Sequence, residues 1–579
     1  MFALLSLRTL GVAGAEEEAA QRKKRLVVLG SGWAAVSFLK NVRADPTVEL
    51  TVISPRGYFL YSPLLPAAAS GTIETRSIVE PLRQFLPTGA TFLEAEALAI
   101  DPGARSILCK SKLYGDSFKV PYDTAVLAVG SWNTTFGTPG VRENALFLKS
   151  AEDVLRLRTR VHDSIEAACL PFVPEEERKR LLSIVICGGG PTGTELAAEL
   201  QDLVSEDLAR LYPSLRGKIT ITLIDSNCHV LSMYDRDIAA YTTAKFRKDG
   251  VNLVLEARVR EVTPKGVVVA HKRDGREEVI PCGVCVWATG IALHPLAASL
   301  AAQLPEHQRN TRSLVTDSTL CVKGAPARSI FAMGDAATVE QSKALDHAEA
   351  LFIEFDVDRS GHLSVAELKH LLEKASLRYP QLKEVMRMVP PPPPGGARAA
   401  PAVAMHFLAA QAGGEEEEGS HIRALFSKYD ANGDGQLDMA EFKQLLRDFD
   451  GLCRSYPATA QVAKQEGEYL AAAFNAGALL DEARGRGYPE FAWHNKGSLA
   501  FIGGGEAVAS LPGIGIFKGW ETGMLWKGFE TSSQQSIKGR TSVLIDQVRA
   551  SVFGRDISTG GMGSAFRAKP AAAAEQQKK

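Results

Sequence analysis

Leu26-Val27-Val28-Leu29-Gly30-Ser31-Gly32-Trp33-Ala34-Ala35 is the stretch that decides the fold. A short apolar run meets a glycine turn and then a helical stretch through Lys40, the order of strand, tight turn and helix that opens a βαβ unit. About 160 residues on, Ile184-Val185-Ile186-Cys187-Gly188-Gly189-Gly190-Pro191-Thr192-Gly193-Thr194-Glu195 repeats it and leads into Leu196 to Leu200. The glycines Gly30 and Gly32, then Gly188, Gly190 and Gly193, let the turn close and let backbone approach a pyrophosphate. The helix start supplies free N–H groups and a positive dipole end. One such turn arises by chance. Two, each behind an apolar strand, predict an α/β fold with two Rossmann-like dinucleotide-binding domains.

Three further runs agree. Tyr122 to Gly130 and Val284 to Gly290 each read as a buried strand ending in a small-residue turn. Ser329 to Asp335 is a third strand, closing on Gly334 and Asp335.

From Lys343 to Asp450 the character changes. Asp356, Asp358, Ser360, Ser364 and Glu367 occupy positions 1, 3, 5, 9 and 12 of a twelve-residue loop, with glycine at position 6 and His362 at position 7, where a backbone carbonyl serves. Asp430, Asn432, Asp434, Gln436, Asp438 and Glu441 repeat the pattern. Apolar-periodic helices flank each loop: Ala348 to Phe355, Leu368 to Leu372, Ile422 to Tyr429 and Phe442 to Phe449. This spacing wraps six or seven oxygens around a hard cation, so two calcium-binding EF-hands are predicted. The second loop carries four carboxylates against three in the first, and is expected to bind more tightly. Pro390 to Pro394 and the acidic run Gly413 to Gly419 separate the loops, a longer linker than paired EF-hands usually have, which leaves their pairing open.

At 579 residues the chain is too long for one core, and three or four domains are expected. A net charge of −1 gives no basic excess for nucleic acid. Eight scattered cysteines make no disulfide scaffold and fit a reducing compartment. No apolar run reaches the ~18 residues of a membrane-spanning helix, so membrane contact is expected to be peripheral. Met1 to Leu10 is apolar, but Glu16 to Glu18 count against an organellar presequence; a leader and a plain tail both stay open for residues 1–24.

After the insert, Gln461 and Gln465 lie four apart on one helix face. Two amides there suit carbonyl oxygens of a ligand, or a plain surface. From Phe517 to Phe553, Trp520, Trp526 and Phe529 precede an apolar face of Leu544, Ile545, Val548 and Val552, accompanied by Lys538, Arg540, Arg549 and Arg555. This suits a membrane interface, or a contact with the protein body or a second subunit, as in a homodimer.

These residues carry a resemblance. Ile53 to Phe59, Ser62 to Pro66, Arg76 to Glu80, Gly188 to Glu195, Ala460 to Gln465 and Phe553 to Asp556 resemble the type II NAD(P)H:quinone oxidoreductases, in particular the calcium-regulated plant and algal branch with an EF-hand insertion, over residues 25–560. The resemblance implies FAD at the first turn and a nicotinamide nucleotide at the second. It assigns Ser54, Pro55, Arg56, Gly130, Gly290, Gly334 and Asp335 to cofactor binding. Ala35 stands for the third glycine of the first turn and still permits close packing. Asp225, ending the strand Ile219 to Ile224, accepts from ribose hydroxyls and repels a 2′-phosphate, which favours NADH over NADPH. By the same resemblance Glu195 couples the two half-reactions, with capping of the helix start as the plain alternative. Gln461 and Gln465 fall on the quinone-site helix, and the C-terminal region becomes a membrane anchor.

The implied activity passes two electrons from NADH to ubiquinone or plastoquinone without pumping protons. The expected home is the mitochondrial inner membrane, with the thylakoid or the peroxisome as alternatives. The expected segments are FAD binding at 25–155 and 292–342, NAD(P)H binding at 156–291, the EF-hand insert at 343–450, a flavin and quinone segment at 451–505, the anchor at 506–567 and a tail at 568–579. Two rivals remain. A same-fold reductase with another acceptor, such as a disulfide, needs a redox cysteine pair, and Cys282 with Cys285 is poorly placed for one. A calcium sensor on a degenerate flavoprotein scaffold is opposed by the intact glycine turns.

Overall fold

The computed structural model describes residues 22–558 apart from 311, 341, 342, 376–378, 380, 381, 383–421, 423, 424, 451–455 and 513. Residues 1–21 of the leader region, the proline and acidic runs and the C-terminal tail lie outside the described residues. The chain divides into two units: Met1–Ala337 with Ala458–Lys579, and Thr338–Pro457.

In the first unit the strand Lys24–Leu29 sits inside a seven-stranded sheet. It pairs in parallel with Val48–Ser54 on one side and Thr124–Leu127 on the other, and Ile330–Ala332 adds outside the latter. A second, all-parallel sheet repeats the plan, with Ser183–Cys187 between Thr220–Ile224 and Val284–Trp287. Each glycine turn therefore leaves its sheet where the strand order reverses, the place where doubly wound sheets bind ligands. Residues 26–29 and 184–187 are apolar in unbroken runs because both faces of the strands are buried, one of them against antiparallel strands such as Ala257–Thr263 and Gly266–His271 in the second sheet.

Gly130 and Gly290 end the two matching strands. The short strands that follow, Ser131–Asn133 and Ile291–Leu293, pair antiparallel and tie the halves together. The helix Ala460–Asn475 packs on Trp33–Asn41, the helix of the first turn. Gly467 makes this possible, since a Cβ there would meet the Ala34 carbonyl oxygen at 2.4 Å. An antiparallel sheet of Ser498–Gly503, Glu506–Leu511 and Gly515–Gly519 then carries the helices Trp520–Ser532 and Ile537–Phe553.

The second unit is helical around its own core of leucines and phenylalanines, including Leu371, Phe442 and Leu445. Its two loops do pair: Leu363 and Leu437 exchange N–H to carbonyl bonds of 2.9 Å. The long linker does not keep the EF-hands apart.

Candidate functional site

At the first turn the Gly30 N–H donates to the Ile53 carbonyl, and the helix begins at Gly32 with no side-chain cap and no acid in its first turn. A Cβ at Gly32 would meet no protein atom within 4 Å. That open space in front of uncapped N–H groups fits a pyrophosphate. Ala35 is fully buried, as close packing requires. Ser54 is buried, its hydroxyl 3.0 Å from Ser31 Oγ and accepting from the Arg56 N–H. Pro55 follows it, and Arg56 lies over the Tyr58 ring.

Behind this turn sits a group that sequence reasoning missed. Lys149 Nζ donates to Ser131 Oγ (2.7 Å), which donates to the Asp335 carboxylate (2.9 Å). Burial lowers the Lys149 pKa, with Asp335 opposing. The buried Glu466 accepts from the Gly334 N–H at 2.5 Å, and burial pushes its pKa up to about 8. Glu466 follows Gln465 directly, yet nothing in its spacing marks it. Lys149 has no signal of its own.

The second turn is built alike. Gly188 donates to the Ile224 carbonyl, the helix Pro191–Asp202 starts uncapped at Gly190, and a Cβ at Gly190 meets nothing within 4 Å. Asp225 stands across the turn, one oxygen accepting from Gly189 N–H (2.6 Å) and the other from Asn227 N–H (2.7 Å). Its charge is thus fixed at the turn, where the adenosine ribose of a dinucleotide belongs. Asp225→Asn keeps an acceptor for the turn but removes the charge. It should raise the ratio of NADPH to NADH kcat/KM about tenfold, or about 1.4 kcal/mol. An unchanged ratio in steady-state assays would refute the assignment.

Glu195 does not cap its helix. Its carboxylate reaches the C-terminal sheet and accepts from the Phe501 N–H at 3.2 Å. Burial, then the charges of Glu530 and Glu199, raise its pKa well above the usual range. Phe501 stacks on Trp526, centroids 5.0 Å apart.

Gln461 and Gln465 do share a face, and both amides hold the loop 494–497. Gln465 donates to the His494 carbonyl and accepts from its N–H, both 2.9 Å. Gln461 donates to the Gly497 carbonyl and accepts from Lys496 N–H. Neither amide is free in this arrangement; a ligand carbonyl must share or displace those bonds.

The C-terminal reading needs three corrections. Trp520, Phe529, Ile545 and Val552 are exposed, the last by 65%, but Trp526 is buried against Phe501. Arg555 is no membrane-facing base; largely covered, it lies among Glu199, Asp202, Glu206 and Asp207. Arg549 is likewise taken, by Glu74 at 2.7 Å.

Cys282 and Cys285 are buried, and burial pushes Cys282 up to about 12, while Cys285, beside Cys187, is also raised. Thiols so hard to ionise are poor nucleophiles, which opposes the disulfide-reductase rival.

In the first EF-hand loop Asp356, Asp358 and Glu367 bring one oxygen each within 4.8 Å of the others. Glu367 accepts from Val357 and Ser364 N–H, so position 12 spans the loop. Glu441 does the same through Ala431 and Asp438. The donors are hard oxygens on a preshaped loop, which fits calcium. Ser360 Oγ donates to the His362 carbonyl, and Asn432 donates to Asp434. The carboxylate count predicts two calorimetric steps for the full chain. Glu441→Gln should remove the tighter and Glu367→Gln the weaker, and the opposite order would refute the ranking.

Two nucleotide turns on twinned parallel sheets, tied by paired crossover strands, define a two-dinucleotide-domain flavoprotein. Residues 24–350 match the family described as pyridine nucleotide-disulphide oxidoreductase, 345–447 an EF-hand domain pair, and 495–556 the NDH2 C-terminal domain. The chain is 37% identical over 563 residues to the external alternative NAD(P)H-ubiquinone oxidoreductase B2, mitochondrial, of Arabidopsis thaliana, covering 94% of this chain and 92% of that protein. A B1 protein of Solanum tuberosum is 37% identical, over 93% and 90%. The structure of NDH2 from Plasmodium falciparum in complex with NADH superposes with a TM-score of 0.76 at 26% identity, covering 93% of this chain and all of that one. The chain belongs to the type II NADH–ubiquinone oxidoreductase family.

Proposed function

We propose that this chain oxidises NADH and reduces ubiquinone to ubiquinol, without pumping protons and under calcium control. FAD, when bound, supplies the two-electron chemistry that links the two substrates. The uncapped helix starts at Gly32 and Gly190 hold the two pyrophosphates, and Asp225 selects NADH. Asp335, held through Ser131 to the half-buried Lys149, would hold the flavin's sugar chain. Glu195, early in the helix Pro191–Asp202, is an acid whose pKa burial pushes well above the usual carboxylate range. The observation that carries the reading is this contact: a buried acid on the nucleotide helix accepts from the Phe501 N–H of the C-terminal sheet, where Phe501 stacks on Trp526. Gln461 and Gln465 shape the quinone entrance by holding the loop 494–497.

The relatives are named mitochondrial, and the mitochondrial inner membrane is the home assigned here. Among the described residues no helix is long and apolar enough to cross a membrane. The exposed apolar residues of the helices Trp520–Ser532 and Ile537–Phe553 form a docking face for the membrane that holds the quinone. A second copy of the chain competes for the same face, and flotation with vesicles separates the two. Calcium acts through the insert, which enters the chain between Asp335 and the helix of Gln461.

The test is NADH oxidation by FAD-loaded protein with a short-chain ubiquinone, in calcium and then in chelator. Turnover that needs quinone and changes with calcium supports the whole reading. Flavin reduction by NADH with no quinone turnover refutes the acceptor.

A further inference from the structure

The helix Trp520–Ser532 turns one acid inward. Glu530 is only 5% exposed, and its Oε2 is buried with no hydrogen-bond partner among the described residues. One turn before it, Trp526 stacks on Phe501, whose N–H donates to Glu195. Tyr61, also buried, closes the other side: its ring lies 5.0 Å from Trp33, the residue after Gly32, and its hydroxyl hydrogen-bonds Glu530. Glu530 is near enough to Glu195 that its charge raises the Glu195 pKa. Burying a second carboxyl beside the first, with one oxygen unmet, costs free energy. No cation among the described residues offsets it, and stability alone gives no reason for it.

We propose that Glu530 is a second proton-carrying acid of the quinone site, working beside Glu195. This rests on the quinone-reducing reading above. Reduction of a quinone to a hydroquinone takes two electrons, supplied by NADH, and forms two O–H bonds. Each acid gives up its carboxyl proton to one quinone oxygen. One proton from the medium and the one that NADH oxidation carries in restore them, so that quinone, NADH and H+ become hydroquinone and NAD+. One acid serves one oxygen; two acids on adjoining elements serve both.

Burial sets Glu530 at about 7, with the Tyr61 bond opposing, so it both holds and releases a proton near neutrality. Glu195 faces it from the nucleotide helix and Tyr61 from the segment after the strand Tyr58–Leu60. Glu506, on the neighbouring sheet, is taken by Tyr241 and Lys245, and Lys518 lies over Tyr241. On the helix Ile537–Phe553, Arg549 pairs with Glu74 and Asp546, and Arg540 donates to the Gln534 carbonyl. None of these neutralises Glu530.

The test uses the full FAD-loaded chain carrying Glu530→Gln. Turnover with NADH is followed from pH 5.5 to 9 against a short-chain ubiquinone, and in parallel against ferricyanide, which takes electrons without protons. The ratio of quinone to ferricyanide turnover should fall by about tenfold or more, and the quinone profile should lose its break near pH 7. Glu530→Asp should restore a break at a shifted pH. An unchanged ratio and profile would overturn the proposal, as would an equal loss with both acceptors, which marks a structural role. A wild-type enzyme that reduces ferricyanide but no quinone overturns the underlying reading, and the proposal with it.

Discussion

Arg555→Ala should cost about 3–5 kcal/mol of stability, because it leaves buried carboxylates without their cation. The guanidinium is 10% exposed and reaches Glu206 at 2.6 Å, Asp207 at 3.1 Å, Asp202 at 3.7 Å and Glu199 at 3.9 Å, while Nε donates to Thr72 Oγ1 at 2.9 Å. Glu199, Asp202 and Asp207 are all buried. Asp202 already stands at about 7, chiefly from burial, with Arg555 among the influences that hold it down. Without the arginine these acids must take up protons or pull the site apart. The folded pKa of Asp202 then lies further above its unfolded one, so stability is kept at low pH and lost as pH rises through the folded value. Thermal melts should therefore separate wild type from variant more at pH 8 than at pH 6. Lysine rescues only in part, since it lacks the planar fork that meets several carboxylates at once. The next residue, Asp556, is fixed by Arg158, which donates to its carbonyl. Loss of Arg555 should thus free the C-terminal helices first and with them vesicle binding. Equal melts at both pH values would refute this.

Arg555 also shows where sequence stops being legible. It lies in Phe553 to Asp556, one of the stretches that carry the family resemblance, yet beside an amphipathic helix it looks like one more membrane-facing base. Its partners lie some 350 residues earlier, and no local spacing reports them. Trp526 was misplaced for the same reason: aromatic periodicity gives a face, and only the packed sheet decides which face is inside. The sheets were readable because a glycine turn after an apolar strand is dictated by neighbours within ten residues. The EF-hand loops were readable too, as cation ligands must come at fixed spacing. Their pairing was not, because it depends on two leucines, Leu363 and Leu437, meeting across a linker whose length argues the other way. Lys149, Ser131 and Glu466 are single polar residues whose meaning appears only once Asp335 and Gly334 stand next to them.

The glycines of the second turn allow fold and ligand to be separated by experiment. A Cβ at Gly193 would lie 1.9 Å from the Gly188 carbonyl oxygen, so Gly193→Ala must move backbone, and a loss of folded protein is its expected result. Gly190 differs. Its φ of −73° and ψ of −178° suit alanine, and the added methyl meets no protein atom within 4 Å. Gly190→Ala should therefore melt like wild type and keep its flavin. The methyl fills the space left for the pyrophosphate and pushes it off the N–H groups of the helix start. Charge-assisted bonds of this kind contribute about 1.5–3 kcal/mol each, so losing one or two weakens NADH by on the order of 100-fold. Stopped-flow reduction of the bound flavin at rising NADH measures this directly. A variant with wild-type melting but slow, unsaturated reduction puts the nucleotide at Gly190. Reduction at the wild-type rate and half-saturation would mean that the open space serves another ligand, and that the second turn is not where NADH binds.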